Sequence, residues 1–129
     1  MFMPEDQHRV WLCTVPTDMR CSFEGLSARV RNLLAEDPLS GHLFVFVNRK
    51  QSQLKILFFD RTGYCIWAKR LERGQFHLPT GADLKQPMTL MALRLFIEGL
   101  QPERFKQQLR YQRGPLAQMQ SSVALNQAY

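Results

Sequence analysis

Between Gly41 and Leu71, large apolar residues fill three short runs, and most polar residues fall between the runs or at their ends. Leu43–Arg49 (LFVFVNR), Leu54–Asp60 (LKILFFD) and Tyr64–Leu71 (YCIWAKRL) are rich in β-branched and aromatic side chains. They are separated by the polar stretch Lys50–Gln53 and by the turn Asp60-Arg-Thr-Gly63, a spacing that predicts a meander of hairpins. In the first two runs both alternating sets are apolar: Val45 and Val47 against Phe44 and Phe46, then Ile56 and Phe58 against Leu57 and Phe59. Strands greasy on both sides must be covered on both, by helices or by another subunit. Val10–Val15 (VWLCTV), ended by Pro16, reads as a further strand, and Phe76–Leu78, closed by Pro79, as a short edge strand.

Elsewhere the period lengthens. Phe23, Leu26, Val30, Leu33 and Leu34 form one stripe, which predicts a helix with Ser22 or Asp18 as its cap and Asp37-Pro38 as its stop. A second helix is predicted from Thr89 to Gly99 with the stripe Leu93, Phe96, Ile97 and Leu100. Met91 and Leu95 widen its apolar arc beyond what one sheet face requires, as at an interface or in a crowded core. Pro102 opens a short basic helix, Glu103–Arg113, and Gly114–Tyr129 reads as a poorly ordered tail or docking segment without a charged side chain. The fold class is therefore α+β. A single compact domain, residues 1–100, carries an antiparallel sheet of four to five strands, an N-terminal helix on one face, and a C-terminal helix on the other or at a homodimer contact. Residues 101–129 add the basic helix and flexible tail.

Composition narrows the classes. With 129 residues and 45% hydrophobic side chains, the chain supports one core and is short for two domains. The net charge of +6 is unevenly placed: residues 41–76 hold seven basic and two acidic side chains, whereas residues 1–40 hold four and six. Cys13, Cys21 and Cys65 lack the close spacing of a metal or redox pair and read as free thiols. No apolar run approaches the roughly 20 residues of a bilayer span, so no membrane partner and a cytoplasmic location are expected.

Candidate chemistry is sparse. His8, His42 and His77 are scattered, the glycines are isolated, and no nucleophile elbow is present. No cofactor is expected. Asp18, Asp37, Asp60 and Glu72 are the carboxylates from which a metal-dependent nuclease or transposase subunit would have to be built, and each has a simpler role at a helix end, in a turn or beside an arginine. The cations are more suggestive. Arg49, Lys50, Lys69, Arg70 and Arg73 fall near one end of the meander, with Lys55 nearby, where they would neutralise phosphates beside aromatic side chains such as Trp67. The competing reading is that strand ends carry Lys and Arg only to stay solvated and to discourage edge pairing.

Several segments together resemble a known family. Asp18-Met19-Arg20, Ser22-Phe23-Glu24-Gly25-Leu26, Asp37-Pro38-Leu39-Ser40-Gly41-His42-Leu43-Phe44-Val45-Phe46, Lys69-Arg70-Leu71-Glu72-Arg73-Gly74-Gln75-Phe76 and Leu95-Phe96-Ile97-Glu98-Gly99-Leu100 are similar, in order and spacing, to the small accessory protein TnpB of the insertion sequence sixty-six family. The chain departs from that pattern at Cys21, over Thr80–Thr89 and after Pro102. The resemblance implies a bacterial mobile-element protein encoded beside a separate transposase, with no established enzymatic activity of its own. The expected function is a non-catalytic transposition accessory factor whose partners are the transposase, DNA contacted mainly at phosphates, or both. Asp18 and Arg20 are either an internal ion pair or part of a partner-recognition surface, to which Met91 and Leu95 would add an apolar contact.

Overall fold

The computed structural model describes residues 8–81 and 83–99. The expected helix Glu103–Arg113 and the tail after it lie outside the described residues. Five strands and two helices follow in the order β1 (Val10–Cys13), α1 (Phe23–Asn32), β2 (Leu43–Val47), β3 (Gln53–Asp60), β4 (Gly63–Arg70), β5 (Lys85–Met88) and α2 (Leu90–Ile97). They form an α+β unit with one sheet in the order β4-β3-β2-β1-β5.

The hairpins β2–β3 and β3–β4 are antiparallel, as the short polar turns predict. The sheet as a whole is mixed, which corrects the expectation of an antiparallel one: β1 pairs with β2 in parallel, Val10 opposite Leu43 and Leu12 opposite Val45. The reason is connectivity. A tight turn reverses the chain, but β1 and β2 are joined through α1, and a helical crossover returns the chain to the end from which it started. β5 then pairs antiparallel to β1 on its other side. The expected edge strand Phe76–Leu78 is not a strand; Phe76 instead plugs the core with its side chain.

Both sheet faces are covered, as the doubly apolar strands require. Toward α1 lie Phe44, Phe46 and Leu57, packed with Leu26, Val30 and Leu34. The opposite face carries Leu12, Val45, Val47, Leu54 and Ile56, which cluster with Phe76 and with Leu93 and Phe96 of α2. Every residue of β2 is buried.

Helix ends depart from the simplest reading. Thr89 caps α2, its hydroxyl accepting from the Ala92 amide at 3.0 Å, as predicted. Ser22 holds the N-cap position of α1 without a side-chain bond to it, and Asp18 bonds Arg20 instead. α1 ends well before Pro38, where Ala35 turns into the left-handed region (φ 53°) and the Glu36 amide donates to the Val30 carbonyl. Gly41 is required at the entry to β2: its φ is +86°, and a Cβ there would lie 2.9 Å from His8 Nε2.

At the start of the parallel pair, His42 Nδ1 accepts from the Arg9 amide at 3.0 Å, and the Leu43 amide donates to the Arg9 carbonyl at 2.9 Å. Burial, with a smaller coulombic contribution from His8 and Arg9 nearby, pulls the His42 pKa below the ordinary histidine value. The unfolded chain therefore takes up a proton first as pH falls. The contribution of neutral His42 is complete above about pH 6.5 and is lost as pH drops through the lower folded value. The unfolding midpoint is expected to fall between pH 7 and pH 5, and to fall less in His42→Asn, whose Oδ1 can take the place of Nδ1. Thermal denaturation followed by circular dichroism at the two pH values checks this.

Candidate nucleic-acid interface

The β2–β3 connection is shaped by Asn48. Its Oδ1 accepts from the Ser52 amide at 2.9 Å and the Gln53 amide at 3.0 Å, and Gln51 takes a left-handed conformation (φ 59°). Asparagine suits this position because its side chain can imitate a backbone carbonyl within the turn. Arg49 and Lys50, at the tip, are left exposed.

A second segment is tied to that turn. The Leu71 amide donates to the Ser52 carbonyl at 2.8 Å and the Phe76 amide to the Gln51 carbonyl at 2.7 Å, while Gln75 Nε2 donates to the Lys50 carbonyl at 3.0 Å. The loop between these anchors carries Arg73, which is exposed. Arg70 is the register partner of Gln53 at the end of β4. Arg49, Lys50, Arg70 and Arg73 therefore come to one end of the sheet.

The chain between β1 and α1 reaches the same end. Thr17 is buried and its amide donates to the Val47 carbonyl at 2.8 Å, while the Cys21 amide donates to the Asp18 carbonyl at 3.1 Å. Lys55 Nζ donates to the Cys21 carbonyl at 2.8 Å. Pinned on both sides, the turn sets Asp18 and Arg20 against a concave surface shared with Asn48, Arg49, Lys50, Ser52 and Gln53. The Asp18 carboxylate accepts from Arg20 Nε, from Nη2 at 2.6 Å and from the Arg20 amide at 2.9 Å. Those hydrogen bonds from Arg20 hold its pKa at about 2, below the usual carboxylate range.

The remaining singled-out residues lie apart from this rim. Lys55 is half-buried, and its strand alternates with Leu54 and Ile56, so it faces α1 and anchors the Asp18 turn. Lys69 shares the opposite face with Leu54, its register partner, and its ammonium lies 3.6 Å from Glu98 after α2. Met91 is 63% exposed near the start of α2, and Leu95 is half-buried. Neither is among the residues lining the concave surface. Among the carboxylates, Asp37 accepts the Leu39 amide at 2.9 Å and Glu72 lies 3.9 Å from Arg70. Among the described residues, no three His, Cys, Asp or Glu side chains are grouped to hold a metal ion.

Thr17, Asn48 and Gln75, which build the rim without being charged, were not apparent as site residues in the sequence. Only Asn48 carried a local signal, as an asparagine directly after an apolar run.

The family model described as IS66 Orf2 like protein matches residues 8–107. The chain belongs to that family. This places the IS66 Orf2-like protein among the products of insertion sequences and makes a role as a transposition accessory its family context. It is 42% identical over 105 residues to uncharacterized protein y4hO of Sinorhizobium fredii (strain NBRC 101917 / NGR234), covering 78% of this chain and 91% of that protein. It is 32% identical over 106 residues to uncharacterized protein y4jC of the same strain, covering 82% and 91%. No solved structure matches it. The matched span contains all the rim cations, Arg20, Arg49, Lys50, Arg70 and Arg73. No described helix is long and apolar enough to cross a membrane.

Proposed function

We propose that this IS66 Orf2-like protein is a non-catalytic accessory of transposition that binds duplex DNA through the basic rim, chiefly at phosphates. The observation that carries the reading is the convergence of Arg49, Lys50, Arg70 and Arg73 from separate parts of the chain onto one exposed end. The five cations at this end, Arg20, Arg49, Lys50, Arg70 and Arg73, outnumber the acids beside them, Asp18 and Glu72, so the rim stays net positive toward a polyanion. Exposed cations exchange their counterions for phosphates on binding, which makes affinity depend on salt.

Parent protein titrated with duplex DNA should show affinity falling steeply with salt. The Arg49, Lys50, Arg70 and Arg73 quadruple alanine variant should bind more weakly at every sequence, with the slope of log affinity against log salt reduced by about 3 to 4, near 0.9 for each phosphate no longer neutralised. An unchanged slope in that variant would rule the rim out as the DNA surface. Incubation of the parent with labelled duplex and magnesium or manganese tests the nuclease alternative: cleavage abolished by Asp60→Asn or Glu72→Gln would replace this reading.

A second contact, with the transposase, is supported by the exposure of Leu90 and Met91 at the start of α2. An apolar contact there is far less salt-sensitive than phosphate binding, so Met91→Asp should weaken transposase capture at high salt and leave duplex binding in place.

A further inference from the structure

The rim cations differ in how they are held. Arg49, Lys50 and Arg73 are exposed long side chains on turns. Arg20 is 92% exposed at its side chain, yet its guanidinium is held by one carboxylate: Nε lies 3.1 and 3.0 Å from the two Asp18 oxygens and Nη2 lies 2.6 Å from Oδ2. The same carboxylate also accepts the Arg20 amide, so side chain and backbone are fixed to one group. The turn that carries them is clamped by Thr17 to β2 and by Lys55 to β3.

That pairing uses the Nε–Nη2 side of the guanidinium and leaves the Nη1–Nη2 edge facing away from Asp18. A guanidinium edge offers two parallel N–H donors, matched to a ligand with two adjacent acceptors. On DNA the two such groups are the O6 and N7 of guanine and the oxygens of a phosphate. Because Asp18 has already fixed the side chain, little further rotamer freedom is lost on binding. Arg20 also lines the same concave surface as Arg49 and Lys50, so DNA seated on the rim would come within its reach.

We propose that Arg20, oriented by Asp18, is a preorganised two-donor reader of nucleic acid that contacts a guanine edge or a phosphate at a fixed register, while the other rim cations supply attraction without register. The inference rests on the rim's being the DNA surface. Asp18 is a positioning residue in this scheme, and its chemistry gives a test with opposed signs. If Arg20 acted as a mere point charge, removing the adjacent negative charge in Asp18→Asn would strengthen DNA binding. If Asp18 positions the fork, the same change weakens binding even though the protein becomes more positive.

The experiment selects duplexes from a random-sequence pool with full-length parent, Asp18→Asn, Arg20→Ala and Arg20→Lys, then measures affinity and salt slope on the selected duplexes. Both residues are exposed, so all three variants are expected to stay folded with at most a modest drop in unfolding midpoint, which serves as the folding control. A guanine target appears as a preferred guanine in the parent pool that is lost, by about 5-fold to 100-fold in discrimination, in all three variants with affinity for unrelated duplex retained. A phosphate target appears as weaker binding of every sequence in Asp18→Asn and Arg20→Ala, with the salt slope of Arg20→Ala reduced by about 1. Asp18→Asn binding as tightly as the parent or more tightly, with the same preference, overturns the proposal. The rim quadruple variant run alongside separates the two ideas: loss of binding there with parental behaviour in the Asp18 and Arg20 variants sinks only this inference, and a parent that binds no duplex sinks both.

Discussion

Phe76→Ala is expected to destabilise the fold by about 3–5 kcal/mol and to weaken DNA binding in whatever fraction remains folded. Phe76 is completely buried although no regular element contains it. Its ring stacks on Phe96 of α2 with centroids 5.7 Å apart, and it belongs to the cluster that covers Val45, Val47 and Leu54. Truncation removes apolar area and leaves a cavity that the rigid sheet beneath closes only partly. The functional consequence comes from the Phe76 amide, which holds the Arg73 loop against the Gln51 carbonyl. Without the ring that bond loses its anchor, and Arg73 no longer has a fixed place in the rim. Urea denaturation checks the first effect. The second is checked by duplex titration under conditions where the variant is folded, where Phe76→Leu should recover most of both. Loss of stability with unchanged DNA affinity in the folded fraction would detach Phe76 from the rim.

Lys85→Ala should have the next largest effect, a loss of about 2–3 kcal/mol. Lys85 Nζ is hydrogen bonded to the Glu36 carboxylate, donates to the Leu34 carbonyl at 2.9 Å, and lies 4.7 Å from the centre of the Trp11 ring. One ammonium thus joins β5, the chain that follows α1, and a side chain of β1. Breaking a buried ion pair on one side leaves the other charge uncompensated and costs about 3–5 kcal/mol. Side-chain exposures of 28% and 22% let water replace part of the interaction, which lowers the expected figure. The double variant Glu36→Gln with Lys85→Met should recover part of the loss, because it leaves no unpaired charge and keeps an apolar stem against Trp11. A double variant no more stable than Lys85→Ala would show that the hydrogen bond to Leu34, lost in both, rather than the unpaired Glu36 charge, is the main contribution.

Phe76 and Lys85 both lie where local sequence signals fail. β2, β3 and β4 were legible to within a residue or two because their signal is local: apolar β-formers in runs, with turn residues at both ends. β5 was not. Its sequence is Lys-Gln-Pro-Met, with one apolar residue besides a proline, and it becomes a strand only because β1 offers it a ladder from Val10 to Cys13. Proline is tolerated there because β5 is an edge. Phe76 failed in the opposite direction. An aromatic residue in a short apolar run imitates a strand, but here it is one buried ring on irregular backbone.

For the candidate site, the clustering of Arg49, Lys50, Arg70 and Arg73 could be read from strand ends, since hairpins bring their ends together whatever the rest of the fold does. The arrival of Arg20 at the same end could not. It depends on β1 lying parallel to β2, which puts the carboxyl end of β1 beside that of β2, and on Thr17 bonding Val47.

By itself the sequence determined a doubly covered β-meander with an excess of positive charge at one end, because hydropathy alternation and turn chemistry act over a few neighbouring residues. Only the tertiary structure decided which cations face solvent. Strand alternation sent Lys55 toward α1 and Lys69 toward the face of Leu54 and Trp67, where the Cys21 carbonyl and Glu98 receive them. A formal charge belongs to a residue, but its availability to a partner depends on what the fold places within a few ångströms of it.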